Sequence, residues 1–191
     1  NRGIAVTNTP DVLTDATAEI GILLILGACR RASEGIESAR QGGWKWSADY
    51  LIGKQLTGSR LGILGMGRIG QKIAKIAKSL GMIIHYHNRS KLSPEKEEGA
   101  TYHDNLKSLM SVSDVLSVCC PASKETINLI NKRTISLLIL APDLSIGVSN
   151  TLPDLSKSGV SLKPIQNLFS ISEPVFKRLL VFSIQALCGI I

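Results

Sequence analysis

The sequence predicts an α/β fold built on a doubly wound parallel sheet, and two observations support this prediction. Short apolar runs of strand length alternate along the chain with longer runs of helical length. The apolar runs are nearly continuous, as in strands that are buried on both faces of a parallel sheet. A sheet covered by helices on both sides follows from this alternation.

Length, composition and charge narrow the class of protein. The chain has 191 residues, of which 44% are hydrophobic and 19% charged, so it can form a sizeable core. Its net charge is +7, but basic and acidic residues are interspersed, so we predict no nucleic-acid partner. The four cysteines lack a CxxC spacing, which predicts reduced, buried thiols in a cytoplasmic protein and no metal site. They are Cys29, Cys119, Cys120 and Cys188.

Neither end of the sequence predicts a membrane segment. The chain opens with the polar stretch NRGIAVTNTP, which is unlike a secretory signal. The longest uncharged run, residues 179–191, is shorter than the roughly 20 apolar residues that a membrane-spanning helix needs. We therefore expect no membrane partner.

The first helical run covers residues 14–40, with Thr14 and Asp15 as N-cap candidates. Its apolar part, residues 20–28, is too wide for a surface helix, so we expect another domain or subunit to cover it. Trp44 and Trp46 follow. We interpret them as packing anchors, with stacking on a ligand as the alternative.

The rest of the recognisable chain alternates between strand and helix. A polar loop, residues 88–100, separates the second strand from a short helix. Three lysines at three-residue spacing mark the solvated face of the longer helix. The predicted strands are residues 60–64, 82–87 and 114–120, the helices are 69–80 and 105–110, and the lysines are Lys72, Lys75 and Lys78.

Three glycines between the first of these strands and its helix predict a dinucleotide site. Gly65, Gly67 and Gly70 match GxGxxG directly after a buried strand and at the start of a helix, which is the context the motif requires. Gly65 allows a sharp turn, Gly67 leaves room for the pyrophosphate, and Gly70 lets the helix pack on the strand. The helix N-terminus would attract the phosphates. An ordinary structural glycine turn is the alternative.

The end of the second strand predicts which dinucleotide is preferred. An NAD site places an acidic residue here to bind the ribose hydroxyls. This sequence has Asn88, Arg89 and Ser90 instead, and a neutral amide, a guanidinium and a hydroxyl all tolerate a 2′-phosphate. We therefore expect NADP(H) to be accepted and preferred to NAD(H). The alternative is that Arg89 is a solvated loop residue and Asn88 holds the ribose.

Four stretches of the sequence carry a family resemblance. They read RGIAVTNTPDVLTDATAE, LTGSRLGILGMGRIGQKIAK, GMIIHYHNRS and SVCCPASKETINLINKRTISLL, in that order. Together they resemble the D-isomer-specific 2-hydroxyacid dehydrogenases, most closely the glyoxylate/hydroxypyruvate reductase branch, over residues 1 to about 138. The resemblance implies a Rossmann-type nucleotide-binding domain, a second substrate domain, and hydride transfer from a nicotinamide to a small 2-keto acid.

The resemblance also implies which residues contact the cofactor. Thr17 would do so from the helix that joins the two domains and helps to form a homodimer. Cys120 and Pro121 lie where open parallel sheets bind ligands, and we assign no redox chemistry to the cysteine. The remaining implied contacts are Gly67, Arg68, Ile69, Gly70, Asn88, Arg89, Ser90 and Thr126.

The catalytic groups of the family have no counterpart that we can assign. The family uses an Arg in an RG motif for the substrate carboxylate, a His as general acid, and a Glu that orients the His. No RG motif follows residue 138, and the three histidines lie earlier in the chain. His85 and His87 share one face of a strand, which favours packing over catalysis, and His103 follows the next loop.

The resemblance divides the chain into three parts. Residues 1–54 correspond to the end of a substrate domain with the interdomain helix, and residues 55–138 to the first half of an NAD(P)-binding domain. Residues 139–191 lack the family pattern, which suggests a reading-frame shift in the gene; divergence with a new helix from about Pro174 is the alternative. The sequence thus predicts a fragment of a keto-acid reductase, or alternatively a non-catalytic, cofactor-binding or cofactor-sensing relative.

Overall fold

A computed structural model describes residues 3, 7–42, 46–131 and 134 of the chain. At its centre is a four-stranded parallel sheet in the order β3-β2-β1-β4, flanked by helices, as the sequence predicts. The strands are β1 Arg60–Leu64, β2 Ile83–His87, β3 Thr101–Tyr102 and β4 Val115–Val118. The helices are α1 Thr14–Cys29, α2 Ala32–Gln41, α3 Arg68–Ser79, α4 Pro94–Glu97 and α5 Leu106–Val112.

The core lies around β1, which pairs with β2 on one side and with β4 on the other. Leu61 is fully buried and is in register with Ile84 of β2 on one side and Val115 of β4 on the other. Ile63 and Tyr86 pair in the same way, and both are also fully buried. The continuous apolar pattern of β1 therefore reflects burial on both faces.

Helix α3 covers one face of the sheet, and α1 packs on α3. The buried face of α3 is made of small or branched residues, including Gly70, Ile73 and Ala77. On α1, Ile22 and Ile25 are buried in the same core cluster, whereas Leu23 is 61% exposed. The apolar run of α1 thus has one packed side and one side that nothing in the described part of the chain covers.

The prediction of one continuous helix over residues 14–40 is wrong, because the chain forms two helices. Arg31 has a left-handed φ of +54° between them, and its guanidinium pairs with Glu34 at 2.7 Å. The physical reason lies in the returning chain. The Lys54 N–H donates to the Cys29 carbonyl at 2.7 Å, and the Cβ of any residue at position 53 would collide with that carbonyl.

The N-cap candidates of α1 are also wrong. The cap position is Leu13, and Thr14 is the first helical residue. Its N–H donates to the carbonyl of Asp11 at 3.1 Å, so the loop backbone takes the role that we assigned to a side chain. Asp15 lies in the first turn and forms an exposed ion pair with Lys72 of α3 at 2.8 Å.

The segment predicted as a polar loop, residues 88–100, contains α4, and β3 follows it directly. Pro94 occupies the first turn of α4, where its missing N–H costs no helical hydrogen bond. Glu98 and Gly99 both have positive φ and end the helix. The chain then runs parallel to β2, with Thr101 in register with His85. The other predicted strands and helices of this region are confirmed to within about two residues at each end.

The remaining expectations concern the tryptophans, the cysteines and membrane-spanning helices. Trp46 is 80% exposed, so its prediction as a packing anchor is wrong within the described chain. Trp44, Cys188 and the predicted helix near Pro174 lie outside the described residues. Cys29 is a buried free thiol, and Cys119 and Cys120 are free and partly buried. In the parts that the structure describes, every helix is too short or too polar to span a membrane.

An ion-pair cluster fixes the amino ends of β1 and β4. The Asp114 carboxylate, 7% exposed, accepts from the Arg60 backbone N–H at 2.8 Å, from Arg60 Nε at 3.0 Å and from Lys54 Nζ at 3.2 Å. Burial acts to raise the pKa of Asp114, but these hydrogen bonds outweigh it and hold the pKa at about 2. The cluster joins the segment before β1 to the start of both strands.

We predict that Asp114→Asn lowers the free energy of unfolding by about 2 kcal/mol, because Arg60 and Lys54 lose a paired charge. The folded-state pKa lies below the ordinary value of 3.8, so the stabilisation is present above that value and is lost as the pH falls toward 2. Urea unfolding between pH 7 and pH 2 measures both effects. Glu19→Gln, an exposed control on α1 with the same charge change, should show the same pH profile as the wild type. An Asp114→Asn profile equal to that of the wild type would contradict the assignment.

Candidate nucleotide-binding site

The predicted glycine turn lies where three strands end. The Gly65 N–H donates to the His87 carbonyl at the end of β2, at 2.9 Å. The Cys119 N–H donates to the Leu64 carbonyl at 2.8 Å, which brings the end of β4 to the same place. The N-terminus of α3 follows immediately, with Gly67 at its cap position. In open parallel sheets, this carboxyl edge is where ligands bind.

Gly65 is the point of closest approach in the turn. It has a φ of +92°, and a Cβ built on it would lie 2.5 Å from the Cys120 nitrogen and 2.9 Å from the Cys119 carbonyl carbon. Both the backbone angle and the spacing exclude a side chain here. The sharp turn predicted for Gly65 therefore also lets β1 and β4 end side by side.

Gly67 and Gly70 have opposite surroundings. A Cβ on Gly70 would lie 2.7 Å from the Gly65 carbonyl oxygen and 3.2 Å from Ile63 Cγ2, so this glycine allows α3 to pack on β1. A Cβ on Gly67 would meet no atom of the described chain within 4 Å. Gly67 is thus not required by packing and borders open space at the N-terminus of a twelve-residue helix, where backbone N–H groups lack intrahelical partners.

The residues predicted to select the cofactor follow β2. Asn88 Oδ1 accepts from the Met66 N–H at 2.6 Å, so the carboxamide is bound to the glycine turn itself. Arg89 and Ser90 are exposed. Sequence reasoning missed the Asn88–Met66 hydrogen bond, because it joins residues 22 positions apart.

The segment after β4, residues 119–126, starts at the same edge of the sheet. Thr126 Oγ1 donates to the Pro121 carbonyl at 2.8 Å and accepts from the Ser123 N–H at 2.7 Å, which closes this segment into a compact turn. The pKa of Glu125 is lowered, first by a hydrogen bond from Ser123 and to a smaller degree by the Arg89 guanidinium. The charge of Arg89 therefore acts on Glu125, a residue of this segment.

The two cysteines of this edge are not activated. Burial raises the pKa of Cys119 to about 11, despite a hydrogen bond with Ser117. Burial also raises the pKa of Cys120. Because the thiolate is the reactive form, these shifts agree with the prediction that Cys120 has no redox role.

Three further residues implied by the resemblance lie on or near α1 and α3. Arg68 Nη1 pairs with Asp11 Oδ1 at 2.9 Å, with both side chains about two-thirds exposed. Thr17 Oγ1 donates to the Leu13 carbonyl at 2.6 Å. Ile69 packs against the core cluster. The structure therefore places Arg68 beside the segment that enters α1, whereas the Thr17 hydroxyl is bound to its own helix.

The histidines form a separate cluster on the sheet. His85 Nδ1 lies 3.0 Å from His103 Nε2, and His103 Nδ1 lies 2.7 Å from Ser108 Oγ. His87 Nδ1 donates to the His103 carbonyl at 2.8 Å. Burial lowers the pKa of His85, and the charge of His103 lowers it further. Such a network agrees with the packing role, and in the described part of the chain three or more metal-ligating groups nowhere converge.

Sequence reasoning missed Tyr86 and Glu97. Tyr86 is fully buried on β2, and its hydroxyl donates to Glu97 Oε1 at 2.6 Å and accepts from the Leu92 N–H at 3.0 Å. Burial and the bond to Glu97 raise the pKa of Tyr86 to about 12. The one available signal was a tyrosine at an inward strand position, since a buried hydroxyl requires a partner.

A cleft of about 250 Å³ lies next to α4. It is lined by residues of α3, β2 and α4, including Lys75, Lys78 and Lys96. Lys78 Nζ donates to the Glu98 carbonyl at 2.6 Å across one side of it. Only Met66 among its lining residues belongs to the glycine turn.

Known proteins are similar to this chain in sequence and in fold. The family model described as D-isomer specific 2-hydroxyacid dehydrogenase, NAD binding domain, matches residues 22–139. A glyoxylate reductase of Aeropyrum pernix is 47% identical over 142 residues, which is 71% of this chain and 42% of that protein. A glycerate dehydrogenase of Hyphomicrobium methylovorum is 43% identical over 157 residues, covering 81% of this chain and 48% of its own.

Solved structures of this family are similar to the chain in fold. The crystal structure of a glyoxylate reductase from Paecilomyes thermophila is 39% identical, with a TM-score of 0.63 over 71% of this chain and 40% of that one. The chain thus spans less than half the length of these relatives. The parallel sheet, the glycine turn and the match over residues 22–139 lead to one conclusion: the chain belongs to the D-isomer specific 2-hydroxyacid dehydrogenase family and contains sequence of its NAD-binding domain.

Proposed function

We propose that this chain is the cofactor-binding part of an NAD(P)H-dependent reductase. The whole protein would reduce a small 2-keto acid, such as glyoxylate or hydroxypyruvate, to the D-2-hydroxy acid. It would prefer NADPH and act as a homodimer in the cytoplasm. The relatives named glyoxylate reductase and glycerate dehydrogenase support this substrate class.

The observation that carries the proposal is the open space at Gly67. Gly65 and Gly70 are each needed by packing, whereas Gly67 is not, so its lack of a side chain is best explained by a ligand that approaches the backbone. The N-terminus of α3 at this position offers N–H groups and a positive dipole end to a pyrophosphate. The nicotinamide, when bound, supplies the hydride.

The residues around the turn would hold the rest of the cofactor. Arg68 and Ile69, in the first turn of α3, would contact it from one side, and Cys120, Pro121 and Thr126, which follow β4, would contact it from the other. Arg89 and Ser90, both exposed, would bind the 2′-phosphate of NADPH. Thr17 would contact the cofactor from α1, and the exposed apolar side of α1, with Leu23, would pack against another domain or subunit.

The histidine cluster favours a second, non-catalytic function for this chain. The sequence has three histidines, and all three are hydrogen-bonded within that cluster. The chain by itself would then bind the cofactor without turning over a keto acid. A non-catalytic or cofactor-sensing relative is the alternative proposal for this chain.

We predict that Gly67→Val weakens NADPH binding by roughly a hundredfold or more, the effect of about 3 kcal/mol. The isopropyl group would fill the space left for the pyrophosphate, while the melting temperature should stay near that of the wild type. Fluorescence titration and thermal unfolding measure the two effects. Gly27→Ala, whose Cβ would make only an ordinary contact at 3.9 Å, is the control. Unchanged affinity in Gly67→Val would mean that the glycine turn is structural only.

We also predict that the whole protein binds NADPH more tightly than NADH, and that Asn88→Asp reverses the order. The new carboxylate would still accept from the Met66 N–H, but it would repel the 2′-phosphate, raising the Kd for NADPH by roughly tenfold or more. Both Kd values are measured for each variant. Asn105→Asp adds the same charge at the cap of α5 and should leave the ratio unchanged. Tighter NADH binding by the wild type would contradict the prediction.

We further predict that the 191-residue chain alone shows no keto-acid-dependent oxidation of NADPH. General acid catalysis contributes about 10² to 10⁴ in rate, and each histidine that could supply it is engaged in the cluster. The absorbance of NADPH with and without glyoxylate or hydroxypyruvate tests this. Steady turnover above the rate without substrate would show that this chain carries catalytic groups.

A further inference from the structure

The loop that carries Arg89 and Ser90 is fixed at both ends. We call residues 88–92 the selector loop. At its start, Asn88 Oδ1 accepts from the Met66 N–H at 2.6 Å, and Tyr102 OH donates to the Asn88 carbonyl at 3.4 Å. At its end, the Leu92 N–H donates to Tyr86 OH at 3.0 Å. Arg89 and Ser90 lie between these two points and are exposed.

One oxygen atom joins three parts of the chain. The Tyr86 hydroxyl, at the inward position of β2, accepts from the selector loop and donates to Glu97 of α4 at 2.6 Å. Glu97 Oε1 also lies 3.8 Å from Lys91 Nζ, so the carboxylate forms an ion pair with a residue of the selector loop. The Tyr86 ring is fully buried and lies 5.3 Å from the ring of Tyr102, which leaves the hydroxyl little freedom to move.

We propose that Tyr86 and Glu97 are positioning residues that set the preference between the two dinucleotides, by holding the end of the selector loop. The inference rests on the proposed function, because it requires that Arg89 and Ser90 meet a 2′-phosphate. Neither Tyr86 nor Glu97 would touch the cofactor. They act through the Leu92 N–H and the backbone that precedes it.

The effect is selective because the hydrogen bonds that hold the glycine turn involve neither Tyr86 nor Glu97. The glycine turn is fixed by Gly65 to the His87 carbonyl and by Met66 to Asn88, and neither bond involves Tyr86. Release of Leu92 would free residues 89–92, and binding a 2′-phosphate would then require ordering the loop and the Arg89 side chain. NADH, which has no 2′-phosphate, would not incur that cost.

The direct test is Tyr86→Phe, with Kd values for NADPH and NADH measured by titration. The Kd for NADPH should rise about fivefold, which is the factor that corresponds to one hydrogen bond of ordinary net strength. The Kd for NADH should change less than about twofold. Adenosine 2′,5′-bisphosphate and adenosine 5′-monophosphate provide the same comparison without the nicotinamide half. An unchanged ratio of the two Kd values overturns the inference.

Variants at Glu97 keep the test decisive if Tyr86→Phe folds poorly. Glu97→Gln retains an oxygen that accepts from Tyr86, so it should preserve the ratio, whereas Glu97→Leu should shift it as Tyr86→Phe does. Tyr50→Phe is the control. It removes a hydroxyl that bonds to Ser38, remote in sequence from the selector loop, and it should lower the free energy of unfolding without changing the ratio of the two Kd values. Equal ratios for Glu97→Gln and Glu97→Leu would also overturn the inference.

The two proposals fail in different ways. If the wild type binds neither dinucleotide, the proposed function fails and the inference fails with it. If the wild type binds both and Tyr86→Phe leaves their ratio unchanged, only the inference fails. A proportional loss of both affinities would show that Tyr86 has a general structural role and would likewise reject selective positioning.

Discussion

At the end of β1 the backbone of Gly65 passes so close to residues 119 and 120 that no side chain fits between them. This close approach allows β1 and β4 to end together, and the hydrogen bond from Gly65 to the His87 carbonyl adds β2 to the same edge. Helix α3 then begins within three residues, and Gly70 lets it lie directly on β1. The geometry of the candidate site follows from this single contact between two backbones.

The two edges of the sheet differ in chemistry. At the amino edge, a buried carboxylate with two cationic partners, Asp114 with Arg60 and Lys54, fixes the strand starts. At the carboxyl edge, the fixing contacts are backbone hydrogen bonds and the Asn88 carboxamide, and the surface beside Gly67 remains open. Rigid support at one end and an open, polar backbone at the other is the arrangement that parallel sheets use to bind ligands at their carboxyl edge.

Much of this could be predicted from the sequence because it depends on local pattern. The buried run at 60–64, the glycine spacing and the helix that follows the glycine turn are all properties of neighbouring residues. The break at Arg31 could not be predicted, since it depends on Lys54 reaching the Cys29 carbonyl from a distant part of the chain. The same holds for β3, whose two residues carry too little pattern and are specified by pairing with His85 and Tyr86. At the site, residue types were predictable, but the links from Asn88 to Met66 and from Tyr86 to Glu97 were not, because they are tertiary contacts.

Titration of the ¹⁵N-labelled chain with NADPH, followed by backbone amide chemical shifts, would show whether the glycine turn binds a dinucleotide. We expect the largest shifts at residues 66–70, at 88–90 and around Thr126, with little change at His85 and His103. Shifts confined to the cleft lined by Lys75, Lys78 and Lys96, with the amides of residues 67–70 unmoved, would contradict this expectation.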